Sequence, residues 1–134
     1  LKAKMMRRKP CPCGGLVRAT CCQPILVGRC KAATAEALMR ARYSAFVAHH
    51  RAFLRASAKG QAALAQTEDP IDPLIQWQKL TILSVEHGEA HESKGWVTFA
   101  AHYTHPRGDG ILQERSEFAK IDGEWFYVSG QVRE

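Results

Sequence analysis

The sequence predicts an α+β protein in which a short cysteine-rich knuckle precedes a helical layer and a curved antiparallel sheet of about four strands. Three observations carry this reading. Four of the five cysteines fall between positions 11 and 22. Apolar residues then recur at spacings of one, three and four from Thr34 to Leu54. Beyond Pro73 the apolar period drops to two. A chain of 134 residues holds one hydrophobic core and an appendage, not two full-sized domains. The division falls at residues 10–33 for the knuckle and 34–134 for the α+β domain.

Residues 10–33 are rich in Cys, Gly and Pro, show no period and read as a loop-built knuckle. Thr34 is the helix N-cap, with Glu36 in the first turn. Met39, Tyr43, Phe46, Val47, His50 and Leu54 follow at helical spacing. They predict one amphipathic helix, broken near His49 and His50 and finished before Gly60. Residues 61–73 read as an Ala-rich turn and a loop marked by Pro70 and Pro73. Four strands are expected over Trp77–Glu86, Gly95–Thr104, Gly110–Ile121 and Glu124–Ser129. Asp122-Gly123 is a strong hairpin signal. Short connections with no intervening helix require antiparallel pairing, and helices followed by strands make a two-layer domain. The expected core is Leu38, Phe46, Leu80, Ile82, Trp96, Phe99, Tyr103, Phe118 and Trp125 to Val128. Pleating puts Val97 and Phe99 on one face of their strand and Trp96 and Thr98 on the other.

With 46% hydrophobic and 24% charged residues the chain is an ordinary globular protein. It has no apolar run of the roughly 18 to 20 residues that would cross a bilayer, so no membrane association is expected. Basic Lys2 to Lys9 lead into Pro10 and Cys11 without an apolar stretch. A secretory leader is therefore not expected, and the chain is placed in the cytoplasm, a reducing compartment. The net charge of +6 is unevenly distributed: residues 1–33 carry eight basic side chains and no acid, and the remainder is mildly acidic. Any attraction to RNA, ribosome or an acidic protein would act through residues 1–33. The other reading is a solvated arm beside a cluster that is itself anionic, since four thiolates and one divalent ion carry a net charge of −2.

In a reducing compartment clustered cysteines point to metal before disulfides. Cys11, Cys13, Cys21 and Cys22 supply the four soft ligands of one structural zinc ion. Reduced free thiols and a redox role are the alternatives. No nucleophile motif, phosphate loop or second metal cluster is present in the sequence, so no catalytic residue is assigned. His49 and His50 read as surface or helix-end residues, and His102 and His105 as turn residues.

The stretch Cys11-Pro-Cys-Gly-Gly to Cys21-Cys22 resembles the SEC-C motif, a zinc knuckle found at the end of the SecA translocation motor. Three further blocks resemble the bacterial YchJ-like family: Glu36 to Val47, Gln113 to Phe118 and Gly123 to Gly130. The resemblance spans roughly residues 10–130. It implies a SEC-C knuckle joined to a domain of the nuclear transport factor two-like fold, a helix-lined cone over a curved sheet. It also implies zinc on Cys11, Cys13, Cys21 and Cys22, and knuckle contacts of the kind made with partner protein and ribosome. This chain has Gly-Gly and seven residues before its Cys-Cys pair where the family usually has Gly-Ser-Gly and eight. If the tighter loop keeps one of the last two cysteines off the metal, Cys30 is the substitute.

In the third strand, alternation puts Leu112, Glu114, Ser116 and Phe118 on one face, and the two large apolar residues turn that face to the core. Glu114 is thereby driven inward, where a carboxylate must be paired, hydrogen-bonded or protonated. The expected partners are Arg42 or the Tyr43 hydroxyl. Two readings follow. One is an ion pair that locks helix to sheet. The other is a pocket of Arg42, Tyr43, Glu114 and Ser116 for a polar small molecule, with Glu114 as a general base. A binding module that meets a macromolecule through its basic knuckle is the leading functional expectation, an enzyme or small-molecule binder built on the cone the runner-up, and a knuckle that only staples the fold a third.

Overall fold

The computed structural model describes residues 9–15, 17, 19–65 and 68–133. The basic residues Lys2, Lys4, Arg7, Arg8 and Arg18 lie outside them. Among the described residues four helices, α1 (Gln23–Leu26), α2 (Ala35–Val47), α3 (Arg51–Ala56) and α4 (Gln61–Ala65), precede four strands. The strands are β1 (Gln76–His87), β2 (Lys94–Thr104), β3 (Gly110–Ile121) and β4 (Glu124–Arg133). They form one antiparallel meander in the order β1-β2-β3-β4. The hairpin at Asp122-Gly123 closes with φ of 51° and 79°, the two positive values a tight type I′ turn requires.

The helical layer departs from expectation in three places: the knuckle, the segment after Gly60 and the solvent face of the long helix. The knuckle is not purely loop, because Pro24 presets the backbone for the short helix α1. The Ala-rich segment after Gly60 winds into α4. The expected single helix is two, broken as the sequence suggested: Val47 ends α2, His49 takes φ 55°, and His50 caps α3 by accepting from the Phe53 N–H at 3.1 Å. Nor does α2 have a wide solvent face. Ala35, Leu38, Met39 and every residue from Ala41 to Ala45 are buried, because the sheet, α3 and the knuckle each cover one side of it. Small side chains at Ala41, Ser44 and Ala45 let these neighbours approach.

The concave face of the sheet carries Leu80, Val97, Phe99, Ala101 and Phe118, all buried in one cluster with α2. Val97 and Phe99 share that face, as pleating requires. Trp96 does not join the core. It lies half-buried on the outer face, 5.2 Å under the Arg115 guanidinium and beside His87. Its size suggested the core, but its register puts it with Glu86 and Glu117. Bulges at Trp77/Lys79 and Ile82/Ser84 in the β1–β2 pairing, and beside Glu117/Phe118 in the β3–β4 pairing, bend the sheet over α2. The chain after α3 covers the free edge of β4: the Lys59 N–H donates to the Tyr127 carbonyl and the Tyr127 N–H to the Ser57 carbonyl, each at 2.9 Å. His102 sits within β2 and not in a turn.

The N-terminus of α2 is fixed by the Thr34 hydroxyl, which accepts from the Ala37 N–H at 3.0 Å. Thr34→Ala is expected to lower the unfolding free energy by about 1 kcal/mol, with Thr34→Ser retaining most of it, in urea titrations of the metal-loaded protein. An unchanged midpoint for Thr34→Ala would remove the cap from this account.

Candidate metal centre and interior cavity

Cys11, Cys13, Cys21 and Cys22 come together so that their sulfurs all lie within 4.8 Å of one another. The Cys13 and Cys21 sulfurs are 3.5 Å apart and those of Cys21 and Cys22 3.9 Å. A tetrahedral site with metal–sulfur bonds of about 2.3 Å has sulfur–sulfur edges of about 3.8 Å, so the set fits a four-coordinate ion. The shortened loop does not pull the cluster apart, and exposed Cys30 lies outside it. The turn after Cys13 is tight. The Gly14 N–H donates to the Cys11 carbonyl, the Gly15 N–H points to the Cys13 sulfur at 3.4 Å, and a Cβ on Gly15 would stand 2.6 Å from the Cys21 sulfur.

The thiols of the cluster influence one another. Hydrogen bonding from Cys22, aided by the Gly15 N–H, draws Cys13 down to about 4. Burial and the nearby Cys13 charge push Cys21 up to about 12, and the hydrogen bond to Cys13 with burial raises Cys22 further. One thiolate thus holds its neighbours protonated. A divalent ion reverses this balance by favouring all four thiolates.

Two contacts bind the knuckle to α2. Arg40 donates from Nη1 to the Cys13 carbonyl at 2.7 Å while its Nε pairs with Glu36 at 2.9 Å. The Ser44 hydroxyl lies 3.5 Å from the Cys11 sulfur. Glu36, Arg40 and Ser44 are successive i, i+4 neighbours and form one stripe of the helix. Cys11, Cys13 and Cys22 are accordingly buried in the same cluster as the sheet core.

The adjacent stripe of α2, Met39, Arg42, Tyr43 and Phe46, walls a cavity of about 310 Å³ between helix and sheet. Arg42, Tyr43, Glu114 and Ser116 all line it. Trp77 packs edge-on against Tyr43, Phe46 and Tyr103, with centroids 6.3, 6.3 and 5.5 Å away. Glu114 turns inward, but its expected partners are not the ones it meets. Its Oε2 accepts from the Ser116 hydroxyl at 2.5 Å and the Tyr127 hydroxyl at 3.1 Å. Tyr43 instead packs on Trp77. Arg42, only 4% exposed, donates through Nη1 to the Leu54 carbonyl at 2.9 Å and the Ser57 hydroxyl at 2.6 Å. Its guanidinium lies 4.6 Å over the Tyr127 ring, and no ion pair joins it to Glu114 among the described residues. The end of α3 draws the guanidinium away, and Tyr127 stands between the two charges. Burial lowers Arg42 to about 10, opposed by the charge of Glu114, and it raises both Tyr127 and Tyr43, the latter to about 12. At neutral pH Arg42 is therefore charged and both phenols are protonated.

A nuclear transport factor two-like cone with a four-cysteine knuckle clamped to its long helix is the class that this fold and site define. Residues 34–130 match the family described as "YchJ, middle NTF2-like domain". A UPF0225 protein of Streptomyces avermitilis is 42% identical over 125 residues, covering 92% of this chain and 85% of the relative. Another from Sodalis glossinidius is 36% identical, covering 92% and 84%. The solution structure of a SEC-C motif containing protein from Rhodopseudomonas palustris superposes with a TM-score of 0.76 at 25% identity, over 94% of this chain and all of that one. The chain belongs to the YchJ-like, UPF0225 family of bacterial proteins.

Sequence reasoning passed over Arg40 and Ser44, which hold the knuckle, and did not assign Tyr127 to the cavity. The i, i+4 spacing of Arg40 and Ser44 was the available signal for the first pair.

Cys30→Ser should leave the bound metal per chain unchanged, whereas Cys13→Ser and Gly15→Ala should both lower it, read by plasma mass spectrometry after gel filtration. Metal lost from Cys30→Ser would transfer a ligand role to that residue.

Proposed function

We propose that the protein is a small bacterial binding protein in which one zinc ion locks the knuckle to α2 and the interior cavity receives a small molecule. Four thiolates in a tetrahedral set suit zinc, a redox-inert ion that holds a loop without reacting. Bound there, it would supply structural cross-linking only. Cys11, Cys13, Cys21 and Cys22 would hold it, and their burial against α2 is what favours a staple over a reactive centre. The cavity reading rests on one observation: a nine-tenths-buried arginine, Arg42, opens onto an aromatic-lined cavity without an ion-pair partner among the described residues. Buried charges are ordinarily paired. Aromatic walls with a few convergent polar groups are the usual composition of small-molecule sites. The site is read as a binding site. A reducing cytoplasm suits free thiolates and a zinc staple.

The test has two parts. Purified protein should carry about one zinc per chain, and iron or no metal in folded protein would overturn the zinc assignment. A ligand-observed NMR fragment screen should yield aromatic binders that Ala101→Leu, which fills the cavity from β2, displaces. Binders that this variant retains, or none at all, would overturn the cavity reading.

A second reading keeps the knuckle as a docking surface for RNA or an acidic protein. The charge split of residues 1–33 favours it, as does the exposure of Lys9, Arg29 and Lys31 on the described part of that segment. Charge reversal at Lys9 and Arg29 with the metal retained should abolish salt-sensitive capture of a partner. Capture that persists would remove this reading.

A further inference from the structure

Building on the cavity reading, we infer that the cavity recognises an uncharged molecule with a flat apolar body and an edge that places a hydrogen-bond acceptor beside a donor, the chemistry of a carboxamide, lactam or ureide. The argument starts from the two ends of the cavity. Tyr43, Phe46, Trp77 and Phe99 offer ring faces and edges, which favour a planar apolar body. The other end is polar and carries two opposite charges held apart.

On Arg42, Nη1 alone has protein partners among the described residues, the Leu54 carbonyl and the Ser57 hydroxyl. No fully buried side-chain nitrogen or oxygen among the described residues lacks a partner, so the remaining guanidinium nitrogens are not sealed off, and the cavity is the space that Arg42 lines. On Glu114, Oε2 takes both donated hydrogen bonds and Oε1 takes none. The contact from the Ser116 hydroxyl is short, at 2.5 Å. Tyr127 fills the space between the charges, its ring under the guanidinium and its hydroxyl on the carboxylate. Gly130 keeps this arrangement open, since a Cβ there would collide with both the Tyr127 hydroxyl and Glu114 Oε2.

A ligand must therefore answer two unlike groups at once. A carboxylate satisfies Arg42 but brings a second negative oxygen towards Glu114. A cation satisfies Glu114 but faces Arg42. In a site of low dielectric these like-charge approaches are costly, and a buried group left unpaired costs as well. A neutral edge that offers a carbonyl oxygen to Arg42 and an N–H to Glu114 Oε1 satisfies both without adding charge.

Three probes of one shape separate the possibilities: 2-naphthamide, 2-naphthoate and 2-naphthamidine. Each is titrated at pH 7 into the full, metal-loaded, ¹⁵N-labelled chain, and the Trp77 indole N–H, assigned with Trp77→Phe, reports occupancy. The amide should bind at least about tenfold more tightly than either ion. Glu114→Gln, which keeps the shape and removes the negative charge, should shift the preference towards the naphthoate by a similar factor. Preference of the wild-type protein for either ion, equal binding of all three, or an unchanged order in Glu114→Gln would overturn the ligand class while leaving the cavity as a binding site. Absence of any response to all three probes would overturn the class and the cavity reading together. If Glu114→Gln does not fold, the three probes on the wild-type chain decide the matter alone.

Discussion

The grip of the knuckle on α2 is the constraint from which the rest of the site follows. Arg40 holds the Cys13 carbonyl from one stripe of the helix, and Arg42 and Tyr43 face the cavity from the next. A helix rotates as a unit, so whatever fixes the first stripe fixes the second. The four sulfurs and the cavity floor are thus tied through one turn of backbone. Electrostatics links them as well, because the charge on Cys13 adds to the burial that raises the Tyr43 hydroxyl. A knuckle of this size has too little apolar surface to hold a fixed position by itself. Cys11, Cys13 and Cys22 gain theirs by entering the main core.

Much of the fold was legible because hydrophobic period survives without tertiary information. Four strands were expected in the right order and pairing, and the β3 bounds agreed with Gly110–Ile121. What failed needed knowledge of neighbours. Trp96 was assigned to the core by size and to the face of β2 opposite Val97 and Phe99 by parity; that face is the outer one, where Arg115 lies over it. The helix at Ala35–Val47 was read as amphipathic from the spacing of Met39, Tyr43, Phe46 and Val47, with Arg40 and Arg42 lying between them. Both arginines make tertiary contacts, half-buried Arg40 with the knuckle and buried Arg42 with α3.

The sites show the same division. Cysteine spacing and chemistry pick out the cluster, since clustered thiols announce themselves wherever they fall. Alternation along β3 placed Glu114 inward, and Arg42, Tyr43 and Ser116 line the same cavity. The identity of Glu114's partner was not legible. It depends on the bulge beside Glu117/Phe118, which adds a residue to β4 after Tyr127. Strict period two from Trp125 would put Ser129 on the inner face with Tyr127. The inserted residue brings Gly130 there opposite Ser116, and the missing side chain makes room for the Tyr127 hydroxyl on the carboxylate. Bulges leave no reliable trace in composition, so this placement emerges only with the backbone.

The separation of Arg42 from Glu114 bears on whether the polar end is structural. If the two residues served stability alone, direct contact would be the favoured arrangement, because breaking or incompletely forming a buried pair costs more than replacing it by apolar residues. The fold instead divides them. Arg42 is turned to Leu54 and Ser57, Glu114 to Ser116 and Tyr127, and each retains hydrogen-bonding capacity towards the same cavity. Departures from the locally best arrangement concentrate where proteins bind or react. Tyr127 is the spacer that maintains the departure, and the edge of β4 that carries it is pinned on both sides by Ser57 and Lys59. The spacing of the two charges is therefore built into the backbone, and on the proposed cavity reading that would reduce the ordering cost of binding.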